Sequence, residues 1–172
     1  VKYDLLAQRL NTSIPGLYGP KTEIGRWLRT KPTMVRIDSL LFVHGGISPS
    51  LAGRELSLAQ INGGVRTGLR APLSPHVHGT LDTLFGSRGP LWYRGYFETD
   101  SLQARSIRQD LAQFGAETAV VGHTTIEKIQ RRRRGRVIAI DVGFRQPGQG
   151  EGLLIEDGQY YRIGTDGKRR PL

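Results

Sequence analysis

Short apolar runs bounded by turn residues recur along the chain and predict strands. Met34–Ile37 and Leu40–Val43 flank an Asp38-Ser39 turn, and Thr118–Val121 and residues 137–141 form two more runs of this kind. Apolar runs of four or five residues are typical of strands that a fold buries. A further pair of strands is predicted around Asp157-Gly158, because this dipeptide between two runs, 153–156 and 159–163, is a strong hairpin signal.

Two segments carry the helical spacing of apolar residues. Thr22 can cap a helix over residues 23–29, and we expect this helix to bury three side chains: Ile24, Trp27 and Leu28. A longer helix is predicted to start at residues 99–101 and to stop at Gly115, with one apolar face made of Leu102, Ile107, Leu111 and Phe114. Ser57 begins another helix, and residues 1–10 resemble the tail of one.

Together these elements predict an α/β fold, a mixed β-sheet with flanking helices and with its chemistry at the strand ends. Residues 1–172 are enough for a single domain with a core of its own, or for a half-domain. The chain starts at Val1 rather than methionine, so we expect that something upstream was removed or never included.

Composition and charge narrow the chemistry. The chain has no cysteine, which excludes disulfides and thiolate ligands, so a metal would need His, Asp, Glu, Asn or water. No apolar run approaches the roughly 20 residues of a membrane span. The net charge is +10, and five of the basic residues are Arg131, Arg132, Arg133, Arg134 and Arg136. A field of this sign attracts phosphorylated substrates or nucleic acid.

Two histidines stand at the ends of predicted strands. His44 follows Leu40–Val43 and precedes two glycines, and His123 follows Thr118–Val121 and one glycine. Glycine lets the backbone approach a neighbour closely, and an imidazole on a rigid strand end has a fixed orientation. For each histidine alone, a purely structural role is as good an interpretation as a role in a binding site. The matched pair favours a metal or anion site.

Three further groups are candidates. Arg94, between aromatic residues and a glycine, suits bidentate phosphate binding or is a surface arginine stacked on an aromatic ring. Asp141 lies at a strand end, where a carboxylate either hydrogen-bonds a metal-ligating histidine or simply begins the turn that ends the strand. His76 and His78 form a pair in a Pro/Ser/Gly loop, where we expect solvated residues. The arginine run 131–136 is interpreted as a solvated loop between two strands.

Four motifs in this order resemble the calcineurin-like metallophosphoesterases, and in particular the bacterial Shewanella-like branch of the phosphoprotein phosphatases. The motifs are Val43-His44-Gly45-Gly46-Ile47-Ser48-Pro49, Gly89-Pro90-Leu91-Trp92-Tyr93-Arg94, Val120-Val121-Gly122-His123-Thr124 and Ile140-Asp141-Val142-Gly143. The resemblance spans residues 22–160 and implies the C-terminal half of a metallophosphoesterase sandwich.

The resemblance implies a metal-dependent phosphatase that hydrolyses phosphoric esters. Two divalent ions, Mn, Fe or Zn, would activate a bridging water. His44 and His123 match two metal ligands, and Arg94 matches the arginine that clamps phosphate. The implied partner is a phosphorylated protein or a small phosphomonoester, with neither a membrane nor nucleic acid expected. Related bacterial enzymes are often exported, so the periplasm is the expected compartment and the cytoplasm the alternative.

The family's Asp-x-His, Gly-Asp-x-x-Asp-Arg and Gly-Asn-His-Glu motifs are missing. Only 43 residues precede His44, and they hold no histidine. Two neutral imidazoles carry too little negative charge for two cations, so we expect an N-terminal complementary segment and no activity from this chain alone. Two rival hypotheses remain: a non-catalytic half-domain that binds nucleic acid or another polyanion through 131–136, and a structural fragment without independent function.

Overall fold

A computed structural model describes residues 2–70, 79–98, 104–144 and 148–172. The predicted histidine pair His76 and His78 and the predicted helix start at residues 99–101 lie outside these ranges. In the described part the helices are α1 (Lys2–Arg9), α2 (Ile14–Leu17), α3 (Glu23–Thr30), α4 (Pro49–Ala52), α5 (Leu58–Gly68), α6 (Thr80–Phe85) and α7 (Ala104–Ala112).

Two β-sheets organise the described residues. Their strands are β1 (Met34–Ile37), β2 (Leu40–Val43), β3 (Thr118–Val121), β4 (Gln130–Arg132), β5 (Val137–Ala139), β6 (Glu151–Glu156), β7 (Gln159–Gly164) and β8 (Arg169–Pro171). The larger sheet has the order β1-β2-β3-β5-β4, in which β2, β3 and β5 are parallel and the two outer strands are antiparallel. The smaller sheet is an antiparallel β6-β7-β8 meander. The predicted α/β class with a mixed sheet and flanking helices is confirmed.

The central strands β2, β3 and β5 of the larger sheet are largely buried on both faces. Alternate residues of β2, β3 and β5 point to opposite sides, so Leu41 and Val137 join the cluster that includes helix residues Ile61 and Leu111. On the other side Ile138 joins a second cluster, against the smaller sheet, with Leu40, Val120, Ile129, Val142 and the partly buried Leu153, Tyr160 and Leu172. Strands buried on both faces explain the continuous apolar runs in the sequence.

Local signals fix several ends of these elements as predicted. Thr22 Oγ1 accepts from the Gly25 N–H at 3.0 Å, and Ser57 forms a reciprocal capping box with Gln60. The hairpin turn between β6 and β7 has φ 50° at Asp157 and 72° at Gly158, which is the pair of positive angles that a tight hairpin turn requires.

Helix α3 differs from its prediction in the direction of its apolar face. Ile24 is 52% exposed, Trp27 57% and Leu28 39%, whereas Gly25 is buried. A Cβ built on Gly25 would lie 1.8 Å from the Gly19 carbonyl oxygen. The helix therefore packs its glycine edge against the preceding loop, and this close backbone approach outweighs the burial of the larger side chains.

The basic segment also differs from its prediction. Residues 131–136 are not a plain loop, since Arg131 and Arg132 belong to the edge strand β4 and a short 3-10 turn spans Arg133–Gly135. Strand β5 ends at Ala139, two residues before the predicted end at Asp141. Among the described helices, none has the length and apolar character needed to cross a bilayer.

Candidate functional site

The parallel strands bring the predicted site residues to one edge of the sheet. His44 follows β2 directly, His123 lies two residues beyond β3, and Asp141 lies two residues beyond β5. The ladder continues past the strand ends, because the Gly122 N–H donates to the His44 carbonyl at 2.9 Å. The imidazole rings of His44 and His123 are 4.9 Å apart, centroid to centroid, and tilted by 58°. Carboxyl ends of parallel strands are where such folds place their ligands.

The glycines after His44 face a neighbouring loop. The Gly45 N–H donates to the Pro90 carbonyl at 2.7 Å, and a Cβ on Gly45 would stand 2.8 Å from the Tyr93 nitrogen. Ser48, which is buried, donates through its hydroxyl to the Arg88 carbonyl at 2.7 Å. The sequence predicted that another segment approaches these glycines closely, and this segment is the loop that carries Arg94. The contacts fix the Arg94 loop against the His44 turn.

Arg94 reaches across to the His123 turn. Its Nη1 donates to the His123 carbonyl and to Thr124 Oγ1, both at 3.1 Å. The side chain is exposed, while the neighbouring Tyr93 turns inward and packs edge-on against Tyr96 with ring centroids 5.3 Å apart. The guanidinium is thus held beside the two imidazoles at a surface that a phosphate can reach.

His123 has the most constrained geometry at the site. Its φ of 63° lies in the left-handed region, which is uncommon for a residue other than glycine and costs on the order of 1–3 kcal/mol. The Trp92 ring meets its imidazole edge-on at 5.4 Å. Within the described part of the chain, its Nε2 is buried and has no hydrogen-bond partner. Strain and an unpartnered buried nitrogen are both typical of functional positions.

The surroundings of His123 favour the neutral imidazole. Desolvation lowers its pKa below the ordinary 6.5, and the positive charge of Arg94 and the neighbouring His44 lower it further. A hydrogen bond with the Trp92 backbone and the negative charge of Asp141 oppose this shift without cancelling it. At neutral pH the His123 imidazole is therefore unprotonated and can accept a proton as a general base.

A cleft of about 510 Å³ opens beside Arg94 and His123. Its lining combines two guanidinium groups with aromatic rings and one carboxylate: Phe85, Ser87, Arg88, Trp92, Tyr93, Arg94, Gly95, Glu98 and His123. No sequence pattern points to Arg88 or Phe85, because helix α6 and the turn after it reach the cleft only through tertiary packing. A larger hollow of about 870 Å³ lies between Thr125 and Arg170, and it includes neither histidine nor Arg94.

The arginine run is largely engaged in contacts within the molecule. Arg131 lies over the Tyr160 ring at 4.5 Å, and Arg132 lies over Phe97 at 5.1 Å. Arg133 donates to backbone carbonyls of residues 95, 96 and 98, and Arg136 donates to the Glu117 carbonyl at 3.3 Å. These contacts argue against the rival hypothesis that the run is displayed for a polyanion.

The predicted pair of divalent metals is corrected by this geometry. In residues 2–70, 79–98, 104–144 and 148–172 no group of three or more His, Cys, Asp or Glu side chains is placed to hold a metal ion. Two imidazoles do not make a ligand set for a dinuclear centre. The prediction of a two-metal site on this chain is therefore wrong.

Comparison with known proteins gives strong structural matches. No protein-family model matches the chain. A cold-active protein tyrosine phosphatase superposes with a TM-score of 0.91 and 36% identity over 99% of this chain and 51% of its own. The cold-active protein-tyrosine phosphatase of a psychrophile Shewanella sp. gives 0.91 and 37%, with coverages of 99% and 52%. An uncharacterized protein of Schizosaccharomyces pombe is 24% identical over 83% of this chain and 44% of its own length.

These matches show which fold the chain adopts. Its fold is that of the cold-active protein tyrosine phosphatases over nearly all of its residues, and it spans about half of their length. The resemblance to calcineurin-like metallophosphoesterases is corrected, because the solved structures that share this fold are described as protein tyrosine phosphatases.

Proposed function

We propose that this chain carries the phosphate-binding and proton-transfer groups of a phosphatase. The single observation that carries the proposal is the placement of the Arg94 guanidinium against the His123 turn, 3.1 Å from its carbonyl, beside the paired imidazoles. A planar guanidinium matches the oxygens of a phosphate and stabilises the charge that spreads over them in the transition state. The relationship to protein tyrosine phosphatases supports hydrolysis as the reaction.

The absence of cysteine constrains the mechanism on this chain. A cysteinyl phosphate cannot form on these 172 residues, because they contain no thiol. We therefore assign the proton transfers to histidine. His123, whose pKa is lowered mainly by desolvation, is neutral and is assigned as the base for the attacking water, with its buried Nε2, which has no partner among the described residues, as the accepting atom. His44, whose exposed ring lies 4.9 Å from that of His123, is assigned as the second proton-transfer group, acting towards the departing oxygen.

The proposed substrate is a phosphorylated phenol, with phosphotyrosine on a protein as the natural form. The cleft beside Arg94 presents the ring of Trp92, which is 55% exposed, and a phenyl group can stack on it. A phenol has a pKa of about 10, so its oxygen leaves readily with modest acid assistance. Arg88 on the same cleft suits a substrate with acidic residues near the phosphate.

The test compares two arginine variants of the protein at its natural length. Hydrolysis of p-nitrophenyl phosphate and of a phosphotyrosine peptide is measured for the unmodified protein, for Arg94→Lys and for Arg108→Lys, an exposed position on α7. Lysine keeps the positive charge but lacks the planar pair of donors that binds two phosphate oxygens at once, so Arg94→Lys should lower kcat/KM by about 100-fold. Arg108→Lys should leave it unchanged. Equal turnover by the two variants would remove Arg94 from the mechanism.

A further inference from the structure

Arg133 holds the loop that follows Arg94. Its Nε donates to the Tyr96 carbonyl at 3.0 Å, and its Nη2 donates to the carbonyls of Gly95, at 3.3 Å, and Glu98. These three acceptors belong to one turn of chain that is 35–38 residues away in sequence. A guanidinium presents several donors in a rigid plane, so it can fix several carbonyls at once.

The backbone around Arg133 is unusual and directs its side chain. Arg133 has φ 50°, Arg134 has φ 54° and Gly135 has φ 84°, three successive positive angles in the connection between β4 and β5. Left-handed backbone at a residue other than glycine costs about 1–2 kcal/mol. The sheet pairing of Arg132 with Val137 and the bonds made by Arg133 stabilise this connection against that strain.

The opposite side of the same loop is tied to the His44 turn. The Ile47 N–H donates to the Tyr96 hydroxyl at 3.2 Å, and Tyr96 is 1% exposed. Arg132 adds a guanidinium over the Phe97 ring at 5.1 Å. Residues 95–98 are therefore fixed between the β4–β5 connection and the turn that carries His44, and Arg94 leads directly into this fixed segment.

We propose that Arg133 is a positioning residue that keeps Arg94 at the phosphate site. This role rests on the proposed function, because it acts through the contact of Arg94 with substrate. Without the three bonds from Arg133, the β4–β5 side holds residues 95–98 only through the contact of Arg132 with Phe97, and the Arg94 guanidinium is no longer fixed against the His123 turn. A displacement of about 1 Å at a catalytic group can lower the rate by roughly 100-fold.

The first arm of the test is a double-mutant cycle in the full-length protein. Arg133→Gln should lower kcat/KM for p-nitrophenyl phosphate and weaken inhibition by inorganic phosphate, each by about 10-fold to 100-fold. The matched control is Arg134→Gln, which removes the same charge from the adjacent exposed residue and should change neither value.

In an Arg94→Ala background, Arg133→Gln should cause no further loss, because residues that act as a unit are not additive. A full additional loss in that background would overturn the proposal.

The second arm does not depend on catalysis. Residues 1–172 contain two tryptophans, so a Trp27→Phe background of this chain leaves Trp92 as its tryptophan reporter beside the loop. Arg133→Gln should lower the fluorescence anisotropy of Trp92, Arg133→Lys should restore part of it, and Arg134→Gln should leave it unchanged. Unchanged anisotropy in Arg133→Gln overturns the proposal. Lowered anisotropy together with full activity in Arg94→Ala shows that the proposed function failed while the hold of Arg133 on the loop stands.

Discussion

At the scale of single residues, His123 concentrates the unusual features of the molecule. It combines a left-handed backbone, a buried Nε2 without a partner among the described residues, and a pKa that is lowered mainly by desolvation. Since its folded pKa lies below the unfolded value of 6.5, the unfolded chain binds the proton more readily. This group therefore contributes stability at neutral pH that is lost as the pH falls below about 6.5.

The pKa of His123 can be measured directly by proton NMR, because the chain has four histidines and each can be assigned by substitution. We expect the His123 ring resonance to titrate below pH 6.5. Replacing Arg94 with glutamine removes one of the charges that lower this pKa, so the midpoint should move upwards towards 6.5 while desolvation keeps it from reaching that value.

Arg108→Gln provides the control for this titration. It removes an equal charge that is not among those acting on His123, and the midpoint should stay in place. A His123 midpoint at or above 6.5 in the unmodified protein would contradict the assignment of this residue as the base.

The sequence predicted which residues meet at the site but not their environments. His44, His123, Arg94 and Asp141 could be singled out because strand ends and flanking glycines are local patterns. The left-handed φ of His123 and the Trp92 ring against it depend on packing between segments about 30 residues apart, which single-sequence patterns do not encode. The predicted two-metal centre was wrong because it relied on further ligands that the described residues do not provide.

At the scale of elements, the turn after β2 determines how closely the two loops of the site approach each other. Gly45 and Gly46 both donate to the Pro90 carbonyl, at 2.7 Å and 3.3 Å. The atoms nearest to a Cβ on Gly45 are backbone atoms of Tyr93 and Leu91, which cannot rotate away as a flexible side chain can. The glycine therefore sets the distance between His44 and the loop that carries Arg94.

Gly45→Ala should destabilise the protein and disturb the site together. The added methyl carbon would stand 2.8 Å from the Tyr93 nitrogen and 2.9 Å from its carbonyl oxygen, so the loop must shift. We expect a loss of about 1–3 kcal/mol in the free energy of unfolding, typical of overpacking, together with a reduced kcat/KM. Urea unfolding and p-nitrophenyl phosphate turnover measure the two effects.

Gly63→Ala is the matched control for the same substitution. Gly63 lies inside α5 and a Cβ there would meet no atom within 4 Å. Alanine in an open helix position should raise stability by about 0.5–1 kcal/mol and leave turnover unchanged. Equal behaviour of the two alanine variants would mean that the approach at Gly45 is not tight in solution.

Elements with a local signal were predicted and those stabilised by distant contacts were not. Strands β2 and β3 and the β6–β7 hairpin follow from apolar runs and from Asp157-Gly158. Strand β4 has the polar sequence Gln130-Arg131-Arg132, and only its pairing with β5 makes it a strand. The outward face of α3 could not be predicted either, because it follows from the contact of Gly25 with the preceding loop.

At the scale of the whole molecule, the parallel strands that carry the site are clamped between two layers. Helices α5 and α7 cover one face of the larger sheet, and the β6–β7–β8 sheet covers the other. The positions of His44, His123 and Asp141 depend on this sheet, since each follows one of its central strands. The chain has a net charge of +10, and four arginines of the basic run make hydrogen bonds or stacking contacts within the molecule: Arg131, Arg132, Arg133 and Arg136.

The layer made by β6–β8 can be tested through Ile138, which is fully buried in the cluster between the two sheets. Ile138→Ala removes buried methyl groups from a site walled by both sheets, where collapse around the cavity is restricted. We expect a loss of about 2–5 kcal/mol in the free energy of unfolding. Ile155→Ala on β6, where the side chain is 38% exposed, should cost much less.

Urea denaturation of both variants measures the difference in the free energy of unfolding. Because β5 leads to Asp141, the His123 NMR resonance should shift only in Ile138→Ala. Equal, small losses would show that the smaller sheet does not pack on the larger one as described.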